Sequence, residues 1–293
     1  MTTLTVLHPG AMGSAVANQA VGVGHQVLWV PEHRSRATRQ RAGSAGMSAC
    51  AALEEALDAS EAVLSICPPH AAEDVAVAVA RCGFDGLYLD ANAISPQRME
   101  RIAEVIRPAP VVLDGAIIGP PPTAARTCRL YLAGDDQDMG LIDALFKDTS
   151  VQPRIAGHRI GAASALKMSF AGFQKSARTL AAVAHALADA HGVADLLTAE
   201  AKTMTSQILS DPDYLPSVAA RAWRWAPEMT EIADTLHAAG LPTETAEATA
   251  AVLARWEQDK DHYDLPLADV LDHLRQQPGS PPKQPKSTDH SAS

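Results

Sequence analysis

The strongest constraint on this chain is an alternation that runs through its first half and then stops. Short apolar runs rich in β-formers occupy residues 4–7, 26–30, 62–67, 86–90, 111–116 and 129–134. Amphipathic segments rich in Ala, Glu and Arg separate them, and residues 138–146 read as a last helix. Near-continuous apolar strands are the kind buried on both faces. Their alternation with helices predicts a parallel sheet covered on both sides. The pattern ends near residue 158. From Gly161 onward only helical periodicity is found, to about residue 187 and then at about 195–209, 216–239, 243–259 and 266–275. Asp211-Pro212, Gly240-Leu241-Pro242 and Leu265-Pro266 supply breaks. The prediction is an α/β domain over 1–158, an all-α domain over 159–275 and a tail over 276–293. The tail holds four prolines and, Ala292 aside, no apolar side chain, so it reads as disordered.

Ligands on open parallel sheets bind beyond the carboxyl ends of the strands. The first strand runs into His8-Pro9-Gly10-Ala11-Met12-Gly13 and then a helix opening with small residues. Strand, glycine turn and helix form the context of a dinucleotide-binding fingerprint. Gly10 lets backbone approach a pyrophosphate, Gly13 allows close helix–strand packing, and the helix N-terminus attracts the anion. His8 stands where the first glycine of the fingerprint would be. Taken without a ligand, the same residues make an ordinary strand–turn–helix unit.

The second strand ends in Pro31-Glu32-His33-Arg34-Ser35-Arg36. Glu32 is spaced to take the two ribose hydroxyls of NAD. Arg34, Ser35 and Arg36 suit a 2′-phosphate instead, so NADP is favoured over NAD. The cofactor set is read as Gly10, Ala11, Met12, Gly13, His33, Arg34, Ser35, Cys67, Pro68 and Asn92. His70, Asn92, Ser95 and the Gly119 turn fall around the same mouth.

The formal charge of -10 argues against nucleic acid as a partner. The four cysteines have no metal-ligand spacing and no disulfide pattern, so no metal is predicted. No run is long enough to cross a bilayer, and the N-terminus opens directly into a strand. A cytoplasmic protein is the expectation. In the second half, Gly161-Ala-Ala-Ser-Ala-Leu-Lys167-Met168 sets one Lys in small, apolar company. Such a Lys, partly desolvated, suits proton transfer; otherwise it keeps its ammonium wet beyond a buried stem. Trp223 and Trp225, with Arg221 and Arg224, read as a packed seam of a helical bundle.

These elements together resemble the β-hydroxyacid dehydrogenase superfamily, which includes 6-phosphogluconate dehydrogenase-like proteins, 3-hydroxyisobutyrate dehydrogenase and the imine reductases. The resemblance rests on Gly10-Ala11-Met12-Gly13, Ser65-Ile66-Cys67-Pro68-Pro69, Asp90-Ala91-Asn92-Ala93-Ile94-Ser95-Pro96, Asp114-Gly115-Ala116-Ile117-Ile118-Gly119 and the Lys167 stretch. It implies a Rossmann-type domain followed by a helical one. It also implies hydride transfer between NADP(H) and a small alcohol or carbonyl compound, with Lys167 as general acid/base. Asn92 and Gln174 join Lys167 in the implied catalytic set, Gln174 because Ala171 stands where the family carries Asn. Ser95, Ile118, Gly119 and Lys175 form the implied substrate set. A homodimer through the helical domain is implied as well. Ala163 replaces the second glycine of the Lys motif; Ile118-Gly119-Pro120 replaces a carboxylate-binding Ser-Gly-Gly turn, which weighs against an ordinary β-hydroxyacid. Imine reduction is an alternative, against which Lys167 counts because imine reductases carry Asp or Tyr at that position. NADP sensing without turnover is another.

Overall fold

A computed structural model of the chain describes residues 1–106, 111–204, 207–208 and 210–276. Apart from Gln276, the predicted tail lies outside them. The strands are β1 (Thr3–Leu7), β2 (Gln26–Trp29), β3 (Ser48–Ala49), β4 (Ala62–Ser65), β5 (Leu87–Asp90), β6 (Val111–Ile118), β7 (Cys128–Ala133) and β8 (Val151–Gly157). They form one sheet in the order β3-β2-β1-β4-β5-β6-β7-β8. The helices are α1 (Ala11–Gly22), α2 (Arg36–Ser44), α3 (Leu53–Asp58), α4 (Ala72–Arg81), α5 (Pro96–Ile106), α6 (Asp136–Phe146), α7 (Ala162–Ala190), α8 (Ala194–Ala201), α9 (Leu215–Ala219), α10 (Ala222–Ala238), α11 (Glu244–Leu253) and α12 (Leu267–Arg275).

Every residue of β4 and β5 is buried, as strands covered on both faces must be. Side chains alternate between the faces. Leu4, Val6, Leu64, Leu89 and Leu113 pack with Val16 and Ala20 of α1 and Met139 and Ile142 of α6. Leu7, Val63, Tyr88 and Val112 pack on the other side with Val79 of α4 and Met99 and Ile102 of α5.

The sheet departs from the all-parallel expectation at one place: β7 runs antiparallel to β6. Only residues 119–127 join them, and a parallel crossover needs about a dozen residues or more. Two strands were not predicted. β3 is two residues long. β8, Val-Gln-Pro-Arg-Ile-Ala-Gly, is the last strand of the sheet, where Pro153 is tolerated because an edge has no outer neighbour to donate to.

The chain divides into two compact units. The first is Met1–Phe173 with Thr230–Glu244, and the second is Gln174–Met229 with Thr245 onward. The sheet ends at Gly157, beside the predicted boundary at 158, but the division of units falls within α7 and again within α10. Lys167 therefore belongs to the unit that contains the sheet.

The second unit is helical around Trp256, whose indole N–H donates to the Val270 carbonyl at 2.9 Å. The helix predicted over 216–239 is broken into α9 and α10, and the Ala220 carbonyl accepts the Asp261 N–H at 3.0 Å. The tryptophans do not form the predicted seam. Lys175 lies 5.5 Å from the Trp225 ring centroid and Lys260 lies 4.0 Å from that of Trp223. Arg221 donates to the Tyr214 hydroxyl at 2.9 Å.

Candidate active site at the carboxyl ends of the strands

The turn between β1 and α1 is tight. The Gly10 N–H donates to the His8 carbonyl at 2.7 Å. His8 has a left-handed backbone, φ 62, so the residue replacing the first glycine adopts a glycine-like conformation. A Cβ at Gly13 would meet the His8 carbonyl oxygen at 3.3 Å and Val6 Cγ1 at 3.6 Å, a tight fit of helix against strand. A Cβ at Gly10 would meet nothing closer than 4.0 Å. Gly10 leaves open space before a helix whose first turn has no side-chain cap. Ala11 and Met12 sit in that first turn, where free N–H groups and the helix dipole favour an anion.

At the end of β2, Arg34 is half-buried and its Nε has no hydrogen-bond partner. Burial lowers its pKa, an effect opposed by Cys67. Ser35 caps α2 by accepting the Thr38 N–H at 3.2 Å. His33 and Glu32 are exposed and pair with each other at 3.2 Å. His33 thus points to solvent. The residues of this corner fit a dinucleotide: bare N–H groups, room for a phosphate at Gly10, and unpartnered buried nitrogens at His8 Nδ1 and Arg34 Nε.

Asn92, expected to bind the cofactor and to act in catalysis, lies just beyond the end of β5. It is 2% exposed, and its amide is spent on the protein. Its Nδ2 donates to Ser65 Oγ at 3.0 Å and Asp90 Oδ2 at 2.9 Å, while its Oδ1 accepts the Cys67 N–H. Asn92 brackets the loops after β4 and β5. Cys67 is buried beside it, its thiol pushed up to about 12 by burial and then by Asp90. It stays protonated. Pro68, next in the chain, is exposed.

Ser95, predicted to touch substrate, is 4% exposed. Its N–H donates to Glu231 Oε2 at 3.1 Å and its hydroxyl accepts the Arg98 N–H at 3.4 Å. Glu231 also pairs with the Arg98 guanidinium. Ser95 therefore secures the start of α5, beside a polar cavity of about 390 Å³ lined by Arg98, Arg101, Glu231 and His237.

Lys167 is held at the mouth. Its Nζ donates to the Ile117 carbonyl at 2.8 Å, near the end of β6. The helix that carries it is tied to the same strand by Asp114. One carboxylate oxygen accepts the N–H groups of Gly161, Ala163 and Ser164 at 2.9, 2.9 and 3.1 Å. The other accepts the Ser164 hydroxyl at 2.7 Å. Gly161 has φ 97, a conformation that admits this turn. Sequence reasoning quoted Asp114 and Ser164 as motif residues but assigned them no part. The readable signal was an acid inside an otherwise apolar strand, since a buried carboxylate needs donors and the unpaired N–H groups of a helix N-terminus supply them. Glu231 was missed with no local signal, because its partners are over a hundred residues away in sequence. Ile118 is buried, and a Cβ at Gly119, φ 129, would meet Cys128 Cα at 3.1 Å; neither residue offers a side-chain polar group.

Gln174 and Lys175 fall in the second unit. Gln174 is exposed. Lys175 is 7% exposed and pairs with Glu228 Oε2 at 2.7 Å. Its ammonium is engaged by the Glu228 carboxylate and lies 5.5 Å from the Trp225 ring centroid. Among the described residues no cluster of His, Cys, Asp or Glu could hold a metal ion, and no helix is long and apolar enough to cross a membrane.

A mostly parallel sheet, a bare glycine turn and a basic corner define an NAD(P)-binding, oxidoreductase-like fold with a helical region after it. Comparisons with known proteins agree. Residues 3–87 match the family described as NADP oxidoreductase coenzyme F420-dependent, and residues 188–256 match a domain of unknown function, DUF1932. The chain thus carries one stretch similar to an NADP oxidoreductase family and one similar to DUF1932, on a fold shared with solved 3-hydroxyisobutyrate dehydrogenases.

Among solved structures, 3-hydroxyisobutyrate dehydrogenase from Mycobacterium tuberculosis, determined with L-serine, is 21% identical with a TM-score of 0.72, covering 94% of this chain and 100% of that one. A conserved hypothetical protein from Sinorhizobium meliloti is 22% identical, with a TM-score of 0.68 and coverage of 94% and 96%. The conserved protein MTH1747, of unknown function, is 23% identical, with a TM-score of 0.65 and coverage of 88% and 98%. At these identities the likeness is one of fold. No curated protein matches the sequence.

Proposed function

We propose that this protein is an NADP-dependent oxidoreductase acting on a small alcohol/carbonyl pair, with Lys167 as general acid/base. The observation that carries the reading is the double anchorage of Lys167. Its ammonium rests on the Ile117 carbonyl, and its helix is tied by Asp114 to the same strand. A basic group fixed at the ligand-binding end of a dinucleotide sheet suits proton transfer. Gly10, the first turn of α1, Arg34 and Ser35 would hold the cofactor. NADPH, when bound, supplies the hydride. Lys167 Nζ gives a proton to the substrate oxygen in reduction and takes it back in oxidation, and its charge stabilises the developing oxyanion. The buried apolar Ile118 and the proline that follows Gly119 favour a substrate that needs no carboxylate clamp at that turn. The four cysteines are unpaired, which supports a cytoplasmic setting.

A second copy of the chain is the proposed partner. Phe173 and Leu180 of α7 are 70% and 64% exposed, large apolar groups that a helical dimer would cover. One further reading has an observation behind it: Asn92, Ser95 and Lys175 are all committed internally, as in a protein that senses NADP without turning over a substrate.

NADPH oxidation against keto acids, aldehydes and cyclic imines tests the reading, with Lys167→Met in parallel. Turnover of a carbonyl compound is expected, falling about 10²–10⁴-fold in the variant while NADPH affinity is kept. Undiminished turnover in the variant would remove Lys167 from the chemistry. Turnover of imines alone would replace the substrate class.

A further inference from the structure

We infer that His8 is a specificity-determining residue which, with Arg34, clamps the 2′-phosphate of NADP; the inference rests on the cofactor reading above. Two independent features of His8 point there. The first is its backbone. At φ 62 it occupies a conformation that glycine adopts freely and a residue with a Cβ does not. Histidine tolerates this conformation better than most residues with a Cβ, but the turn does not require it. The second is its side chain. Nδ1 is buried and has no hydrogen-bond partner, and the same is true of Arg34 Nε. Buried polar atoms are nearly always paired, so an orphan marks a missing partner.

The surroundings identify that partner. Arg34 lies close enough to depress protonation of His8, whose pKa falls to about 4, first through burial and then through the guanidinium. Cys67 is the other titratable group acting on Arg34, and burial keeps its thiol neutral. The acid nearest in sequence, Glu32, turns outward to His33. A guanidinium and a neutral imidazole thus share a partly buried corner, and no carboxylate is among the groups that act on either. Such a corner suits an anion, and phosphate oxygens are acceptors for both nitrogens, with the imidazole proton on Nδ1. The corner lies where β1 and β2 end. In a dinucleotide fold that is the ribose end of the adenosine, which selects the 2′-phosphate over the pyrophosphate. A glycine at position 8 would hold the turn but could not reach the phosphate.

Calorimetric titration of wild type, His8→Gly, His8→Asn, Arg34→Ala and His8→Gly/Arg34→Ala tests this. The ligands are NADPH, NADH, 2′,5′-ADP and 5′-ADP. Both His8 variants suit a left-handed backbone, so their apo melting temperatures should not fall. The expected result is a loss of about ten-fold or more for NADPH and 2′,5′-ADP, the scale of a charge-assisted hydrogen bond, with NADH and 5′-ADP unchanged. The His8→Gly loss should shrink in the Arg34→Ala background, as for two residues sharing one partner. Equal losses for NADPH and NADH would put His8 on the pyrophosphate turn and overturn the inference. An unchanged NADPH-to-NADH ratio in both His8 variants would overturn it alone, leaving the cofactor reading intact. Failure of wild type to bind either dinucleotide would overturn both.

Discussion

Asp114 links the sheet to the proposed chemistry through a single carboxylate. It accepts three backbone N–H groups and a hydroxyl at the start of α7. Asp114→Ala would leave these donors unpaired in a buried place, at about 1–3 kcal/mol for each that finds no water. A clear drop in melting temperature is the expected outcome, and an unchanged melting temperature would mean that α7 is held by other contacts. Asp90, its neighbour on the next strand, carries a pH signature. Burial raises its pKa from 3.8 to about 7 against the hydrogen bonds of Asn92, with Asp114 adding to the rise. The folded protein therefore holds this proton more tightly than the unfolded chain. The contribution is fully present below about pH 4 and lost as pH rises through about 7. Wild type should lose more stability between pH 5 and pH 8 than Asp90→Asn does; thermal melts that fall in parallel would contradict this. At this scale the sequence was legible where a residue acts on its neighbours, as in the Gly10–Gly13 turn. It was not legible where a polar side chain meets partners distant in sequence. Nothing local in Asn92, Ser95 or Lys175 says that Cys67, Glu231 and Glu228 occupy them.

Elements were legible in proportion to their burial. β1, β4 and β5 are buried almost throughout and mostly apolar because helices cover both faces, and they read clearly. β8 is half-exposed and carries Pro153, so its composition resembles a loop. The helix α7 is the reverse case, easily read yet carrying an unexplained face. Leu166, Phe170, Phe173, Leu180 and Val183 are exposed and recur at steps of three, four and seven, which puts them on one side of the helix. If a second copy covers that side, Phe173→Asp with Leu180→Asp should shift the protein to a smaller species in sedimentation equilibrium. Wild type sedimenting as a monomer, or a variant that remains dimeric, would refute the interface.

At the scale of the molecule, alternation up to residue 146 followed by helical periodicity was enough to predict a parallel α/β sheet and a helical region. The antiparallel β7 was hidden, since strand direction depends on the length and content of a connection and not on the strand. The division of the compact units was hidden too, because a helix that continues across it, as α7 does, carries no break in its pattern. The functional account depends on the dinucleotide corner more than on any other part of the fold. Gly10 offers the most direct measurement, because a Cβ there meets no protein atom closer than 4.0 Å. Side chains added at this position should obstruct a bound phosphate and little else. Titration of NADPH into wild type and Gly10→Val, with apo melting curves for both, is that measurement. The account predicts one NADPH bound per wild-type chain, and a variant that melts like wild type but no longer binds. A wild type that binds no NADPH, or a variant that binds it equally well, would contradict it.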